Sequence, residues 1–198
     1  MGLYLNPPEN AIVISIDEKP SMQALSRTTG VIKTSNGKIV SAVKSTYRRN
    51  GTQNLFAALE VATGIIHGMT TKTKKRVDFL AFMDDLMSEL PQDDNVHFHV
   101  VLDNYCIHKR CHEWLELHKN VTFHFTPTSA SWLNQIEIWF NIMSRKVLRG
   151  ASFDSTNELS QAVLGYIQAY NKSAEPFIWK KREVHGSQIK NSLSNLCG

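Results

Sequence analysis

Cysteine is scarce in this chain: Cys106, Cys111 and Cys197 make three, an odd number without framework spacing, which excludes a disulfide scaffold and points to a reducing compartment. Long apolar runs are missing too. None approaches the ~20 residues of a membrane span, and the opening M-G-L-Y-L-N-P-P-E-N lacks the basic and apolar regions of a signal peptide. The expectation is a soluble, cytoplasmic protein. With 198 residues, 42% hydrophobic content and no internal repeat, the chain suits one domain with its own core. Charge of one sign is missing in two places. Residues 27–76 hold ten Lys or Arg and a single acid, Glu60, whereas residues 77–103 hold seven acids and no Lys or Arg. Such segregation fits one surface facing a polyanion and another facing solvent, and equally two sets of solvated loops.

What is present reads as alternating strands and helices. The β-branched run at 11–16 is too short for a helix and suits a buried strand. Residues 21–52 are polar and broken by Gly30, Gly37 and Gly51, which predicts turns and an excursion off the sheet. Residues 54–60 and 65–70 flank A-T-G and predict an antiparallel hairpin. Phe79, Phe82, Met83, Leu86 and Leu90 recur at helical spacing up to Pro91. A strand follows at 96–103, a short helix at 108–118 and an alternating strand at 121–125. Glu137 lies within a helix, and Ser155 with Glu158 forms a capping box for a last helix whose face is Leu159, Val163, Tyr166, Ile167 and Tyr170. The order predicts an α/β fold with a sheet of mixed direction.

Three acids fall in chemically suggestive places. Asp17 ends one apolar strand and Asp103 another, so neighbouring parallel strands would set them side by side at the carboxyl edge, where open α/β sheets carry their sites. Adjacent carboxylates repel unless cations neutralise them, and hard oxygen ligands select Mg²⁺ or Mn²⁺. On a helical wheel Glu137 stands between an apolar arc (Leu133, Ile136, Phe140, Met143, Val147) and a polar flank (Asn134, Asn141, Arg145). Arg145, Lys146 and Arg149 beyond it, and Arg48, Arg49, Lys72, Lys74, Lys75 and Arg76 in the basic stretch, are candidate phosphate contacts. Ile138, Trp139 and Ile142 form a further apolar patch for the last helix or a partner. Taken singly, each acid is ordinary: a strand-end Asp is usually a turn former and a helical Glu usually solvated.

Whole motifs carry more. G-L-Y-L-N-P-P-E-N-A-I-V-I-S-I-D-E-K, Q-A-L-S-R-T, N-L-F-A-A-L-E-V-A-T-G, V-V-L-D-N-Y-C-I-H-K and F-H-F-T-P-T-S-A-S-W-L-N-Q-I-E-I-W-F resemble the DDE catalytic domain of bacterial insertion-sequence transposases of the mariner superfamily, in the branch called IS-six-thirty. Asp103 and Glu137 are 34 positions apart, close to that branch's short spacing. The resemblance implies an RNase H-like fold, a mixed five-stranded sheet flanked by helices, in which Asp17, Asp103 and Glu137 are catalytic and bind two divalent ions, Mg²⁺ or Mn²⁺. It implies cleavage at the ends of a mobile element and strand transfer into target DNA, self-association in a synaptic complex, and work in the bacterial cytosol and nucleoid. Asn104, His108 and Asn134 match polar motif positions and are expected near the site, while Glu18, one residue past Asp17 on an extended segment, should point elsewhere. Relatives carry an N-terminal helix-turn-helix region that reads inverted repeats. Here Met1 stands almost at the first strand, so the expected plan is a catalytic domain over 1–175 and a basic tail over 176–198, with that region absent. Pro20, close after Asp17, departs from the branch's pattern and bears on the local loop.

Two other readings use the same residues. An inactive remnant would bind DNA without cutting it. Alternatively, Cys106, His108, Cys111 and His112, with His97, His99 and His124 not far off, would form a structural zinc module, although C-x-H-x-x-C-H lacks the usual separated pairs.

Overall fold

Strands β1 (Ala11–Lys33), β2 (Ile39–Glu60), β3 (Ile66–Thr71), β4 (His97–Leu102) and β5 (Val121–Phe125) form one mixed sheet in the order β3-β2-β1-β4-β5. The computed structural model describes residues 2–33, 39–91, 93, 95–127 and 133–178, and of residues 28–33 and 39–46 the backbone alone. β1 runs antiparallel to β2 and parallel to β4, β2 antiparallel to β3, and β4 parallel to β5. This is the RNase H-like arrangement that the motifs imply. The basic tail expected at 176–198 lies largely outside the described residues, and among those described no helix is long and apolar enough to cross a membrane.

Because side chains alternate across a strand, each central strand feeds two cores. Ile14, Ile16, Phe98, Val100 and Leu102 turn to one face and pack on Phe79, Phe82, Met83 and Leu86 of α2 (Arg76–Glu89) and on Trp114 of α3 (His112–Leu117). On the other face Leu55, Ala57 and Leu59 of β2 meet Ile136, Trp139, Phe140 and Met143 of α4 (Ile136–Met143) and Leu159, Val163 and Ile167 of α5 (Thr156–Asn171). Ser155 caps α5, its hydroxyl accepting the Glu158 N–H at 3.1 Å. The short α1 (Gly2–Leu5) precedes β1.

Three expectations change. Residues 21–52 are not turns off the sheet: β1 and β2 continue as one long hairpin, paired out to Lys33 and Ile39. Backbone pairing needs no apolar alternation, and among the described side chains of this stretch Met22 and Ala24 enter the second core. The ladder shifts register between Lys19 and Met22, and Pro20 sits in that bulge beside Ser21 at φ +53°, so its missing N–H costs no ladder bond. Asn54 holds the bulge by accepting the Ser21 N–H at 3.0 Å. The helix expected at 108–118 is split into a 3₁₀ turn, Cys106–His108, and α3, with Arg110 at φ +59° between them. Finally, the apolar patch expected for the last helix or a partner divides: Trp139 is fully buried against Tyr166 and Tyr170 of α5, the last helix, while Ile138 is exposed and Ile142 half-buried.

One ion cluster ties β2, β3 and α2 together at a distance from these acids. His67 places Nε2 2.7 Å from Glu60 and Nδ1 2.6 Å from Glu89, so both ring nitrogens face oxygen acceptors. Burial alone would lower the His67 pKa, but the bonds to Glu60 and Glu89 raise it above the ordinary value, and the bond from His67 lowers that of Glu60. A raised histidine gives stability that is complete below its ordinary 6.5 and fades as pH rises through the folded value. A lowered glutamate gives stability that is present above its ordinary 4.5 and is lost as pH falls through the folded value. His67→Gln is therefore expected to lower Tm by roughly 2–4 °C near pH 6, about 1 kcal/mol, and by clearly less at pH 9. An equal loss at both pH values, by differential scanning fluorimetry, would remove the ionic account.

Candidate active site

The parallel register sets the site. Ala11 pairs with His97 and Ser15 with Val101, so two residues on, Asp17, still inside β1 and paired with Ala57, stands level with Asp103, the residue after the end of β4. Asp17 lies on the α4 side, in phase with Val13 and Ser15. Asp17 is only 6% exposed. Its Oδ1 accepts the Glu18 N–H at 2.8 Å, and its Oδ2 the Asn134 side-chain N–H at 3.3 Å. Burial raises its pKa to about 7, against the lowering by the Glu18 N–H, and the charges of Glu18, Asp103 and Glu137 add to the rise.

Glu137 enters from the first turn of α4, where the helix dipole favours a negative charge. The helix is set against β1 by a buried polar bridge. Ser15 donates to the Asn134 amide oxygen, the Asn134 N–H donates to the Ile16 carbonyl at 2.8 Å, and the Ile136 N–H donates to the Ser15 hydroxyl at 3.1 Å. Asn134 is thus fully buried and precedes the helix instead of lying on its polar flank. Ser15 went unnoticed in the sequence, though a lone serine within the run A-I-V-I-S-I is the kind of buried polar residue that demands a partner.

Asp103 is held differently. Its Oδ1 accepts from His108 Nδ1 at 2.9 Å and from the Tyr105 N–H at 2.9 Å, and the first of these bonds holds its carboxyl below the usual range. The Nε2 of His108 lies 2.7 Å from Glu18. Burial opposes charge on His108, yet the bonds with Asp103 and Glu18 raise its pKa to about 9. Glu18 does point to the opposite face from Asp17, as alternation requires, but there it reaches the histidine that holds the other aspartate. Of the remaining polar motif residues, Asn104 donates to the Thr126 carbonyl, joining the ends of β4 and β5.

The basic candidates divide. Lys74 lies 4.8 Å over the Tyr105 ring and Arg76 donates to the Cys106 carbonyl at 3.5 Å, so both flank the turn that follows Asp103, with Lys72 and Lys75 exposed beside them. Arg145, Lys146 and Arg149 are exposed on and just after the π-helical turn Ser144–Leu148 that continues α4. Arg48 and Arg49 pair with Ser26 and Leu25, well up the hairpin from Ala57, the partner of Asp17.

Among the described residues no three His, Cys, Asp or Glu side chains already close on a point that could hold a metal ion. For the zinc module the reason is specific: His108 is taken by Glu18 and Asp103, and buried Cys111 donates to the carbonyls of Ile107 and His108 while Cys106 is exposed. The residues do not form that module. Asp17, Asp103 and Glu137 offer only hard oxygens, and the charges of Asp103 and Glu137 disfavour the ionised form of Asp17. That donor set fits Mg²⁺ or Mn²⁺.

Comparison with known proteins gives one family: the profile described as DDE superfamily endonuclease matches residues 13–160. No match is found among curated proteins. Among solved structures, the chain is similar to the catalytic core domain of BIV integrase, with TM-score 0.47 and 11% identity over 77% of this chain and 86% of that one. It is also similar to a chain of the simian T-cell lymphotropic virus intasome in complex with PP2A regulatory subunit B56 gamma, with TM-score 0.44 and 11% identity over 81% of this chain and 58% of that one.

Proposed function

Because the chain belongs to the DDE superfamily endonuclease family, we propose that it is the catalytic domain of a transposase, of the mariner superfamily's IS-six-thirty branch, and that Asp17, Asp103 and Glu137 are its catalytic acids. The observation that carries this reading is the buried Asp17, level with Asp103 across the parallel strands and close enough to Asp103 and Glu137 for their charges to disfavour its own, a cluster that a cation would relieve. Asp17, Asp103 and Glu137 would hold two Mg²⁺ or Mn²⁺ ions. Bound there, these ions supply Lewis acidity to the phosphate and a more acidic attacking hydroxyl.

The chain's own residues do the rest. Lys74 and Arg76 sit beside the Asp103 turn, where they can clamp the phosphates flanking the scissile bond, and Arg145, Lys146 and Arg149 extend the cationic surface along α4. A water oxygen bonds to phosphorus as the bond to the 3′ oxygen breaks, leaving a 3′-hydroxyl. That hydroxyl then attacks a target phosphodiester and displaces a target 3′ oxygen, so the number of phosphodiester bonds is conserved in the second step. Catalysis is mostly positioning and charge neutralisation. Joining two element ends would rest with a second copy of the chain, in the cytosol.

Incubation with supercoiled plasmid tests the reading: open-circular product is expected with Mg²⁺ or Mn²⁺ and none with EDTA. Tight, salt-sensitive DNA binding without nicking in any metal would favour the inactive remnant. Lys74→Ala with Arg76→Ala is expected to weaken DNA binding at every sequence alike and to flatten the plot of log affinity against log salt by about 1–2. An unchanged slope in a fluorescence-anisotropy titration would move the phosphate contacts elsewhere.

A further inference from the structure

Glu18 is linked to both aspartates, to Asp17 directly through its backbone N–H and to Asp103 through His108. Its N–H donates to Asp17 Oδ1 at 2.8 Å, and its carboxylate takes His108 Nε2 at 2.7 Å while His108 Nδ1 meets Asp103 Oδ1 at 2.9 Å. The side chains of His108 and Glu18 are 0% and 6% exposed. Both ring nitrogens face carboxylate oxygens, which only accept, so both must donate, and the bridge is a charged one. Phe79 packs on the imidazole at 4.8 Å and Tyr105 meets it edge-on at 6.1 Å, which leaves the ring one orientation. Burying a carboxylate and an imidazole against an apolar core costs free energy that aliphatic side chains would not. What the arrangement yields is control of Asp103, whose side-chain hydrogen bonds among the described residues all fall on Oδ1, leaving Oδ2 without a partner among them.

We propose that Glu18 and His108 are positioning residues: they lock Asp103 by one oxygen so that the other is presented to a divalent cation. The inference rests on Asp103 being a cation ligand, as read above. It makes Glu18 a coupling between the acids, since any shift of residue 18 that releases His108 also moves the N–H that orients Asp17. Partners that orient a metal ligand typically change metal affinity or activity by about 10–100-fold when removed.

Direct Mn²⁺ binding, followed by loss of the free-ion electron paramagnetic resonance signal, separates this role from a structural one. His108→Ala and the isosteric Glu18→Gln are each expected to raise the Mn²⁺ dissociation constant about tenfold or more. The double variant should be little worse than either single, because the pair acts as one unit. In nicking assays the same variants should need proportionately more Mn²⁺ and regain most of the rate when saturated. A folded variant with unchanged Mn²⁺ affinity and a lower saturated rate would overturn the proposal, and Glu18→Gln serves should His108→Ala fail to fold. Asp103→Ala separates the two claims. If it abolishes one Mn²⁺ site while His108→Ala and Glu18→Gln change nothing, only the positioning role falls. If it too leaves Mn²⁺ binding intact, the site reading falls with it.

Discussion

Asp103→Ala is expected to cut the rate of Mg²⁺-dependent plasmid nicking by about 10³-fold or more, because on the proposed function it removes one of three cation-holding carboxylates and with it on the order of 4 kcal/mol of transition-state stabilisation. The fold should survive. Asp103 is about a third exposed at a strand end, and His108 keeps its bond to Glu18. Asp103→Asn refines the experiment, since an amide oxygen still accepts from His108 and the Tyr105 N–H while the negative charge is gone. The same loss of rate in both variants, with thermal melting close to wild type, locates the effect in charge at this position. Nicking that persists in both variants would show that the activity comes from elsewhere.

Trp139→Ala is expected to cost about 3–5 kcal/mol, the largest effect of any single truncation on stability considered above. The indole is fully buried, lies 6.1 Å from both Tyr166 and Tyr170, and belongs to the core that joins α4, α5 and β2. An alanine there leaves a cavity between two helices, one of which carries Glu137 two residues earlier. The loss should show in urea denaturation as a lower midpoint with little change in slope. Trp139→Phe should retain most of the stability. A cost below about 1 kcal/mol for Trp139→Ala would mean that α4 is held mainly by the Ser15–Asn134 bridge.

Much of this architecture was readable because local signals agreed with the global fold. Short β-branched runs became β4 and the start of β1, the 3.6-residue spacing of Phe79, Phe82, Met83 and Leu86 became α2, and Asp17 and Asp103 came level because the strands run parallel, although β1 continues past Asp17 instead of ending there. The hairpin arms were missed because their pairing is a backbone property, invisible to side-chain periodicity, and because Pro20 and the glycines imitate a loop. Whether Trp139 faced the last helix or a partner stayed open in the sequence, since a helix that is apolar on several sides does not reveal which of them has a neighbour. The link from Glu18 through His108 to Asp103 escaped for a different reason. Strand alternation correctly sent Glu18 to the far face, but the path of a turn that brings residue 108 back to residue 18 is long-range and has no local signature.

The central claim is that Asp17, Asp103 and Glu137 form one metal centre for phosphodiester chemistry. Crystals soaked in Mn²⁺ and measured for anomalous scattering test it most directly. The account predicts anomalous peaks about 2.0–2.3 Å from carboxylate oxygens of all three residues, at Mn²⁺ concentrations that support nicking. Peaks elsewhere on the molecule, or none at the shared edge under those conditions, would contradict it.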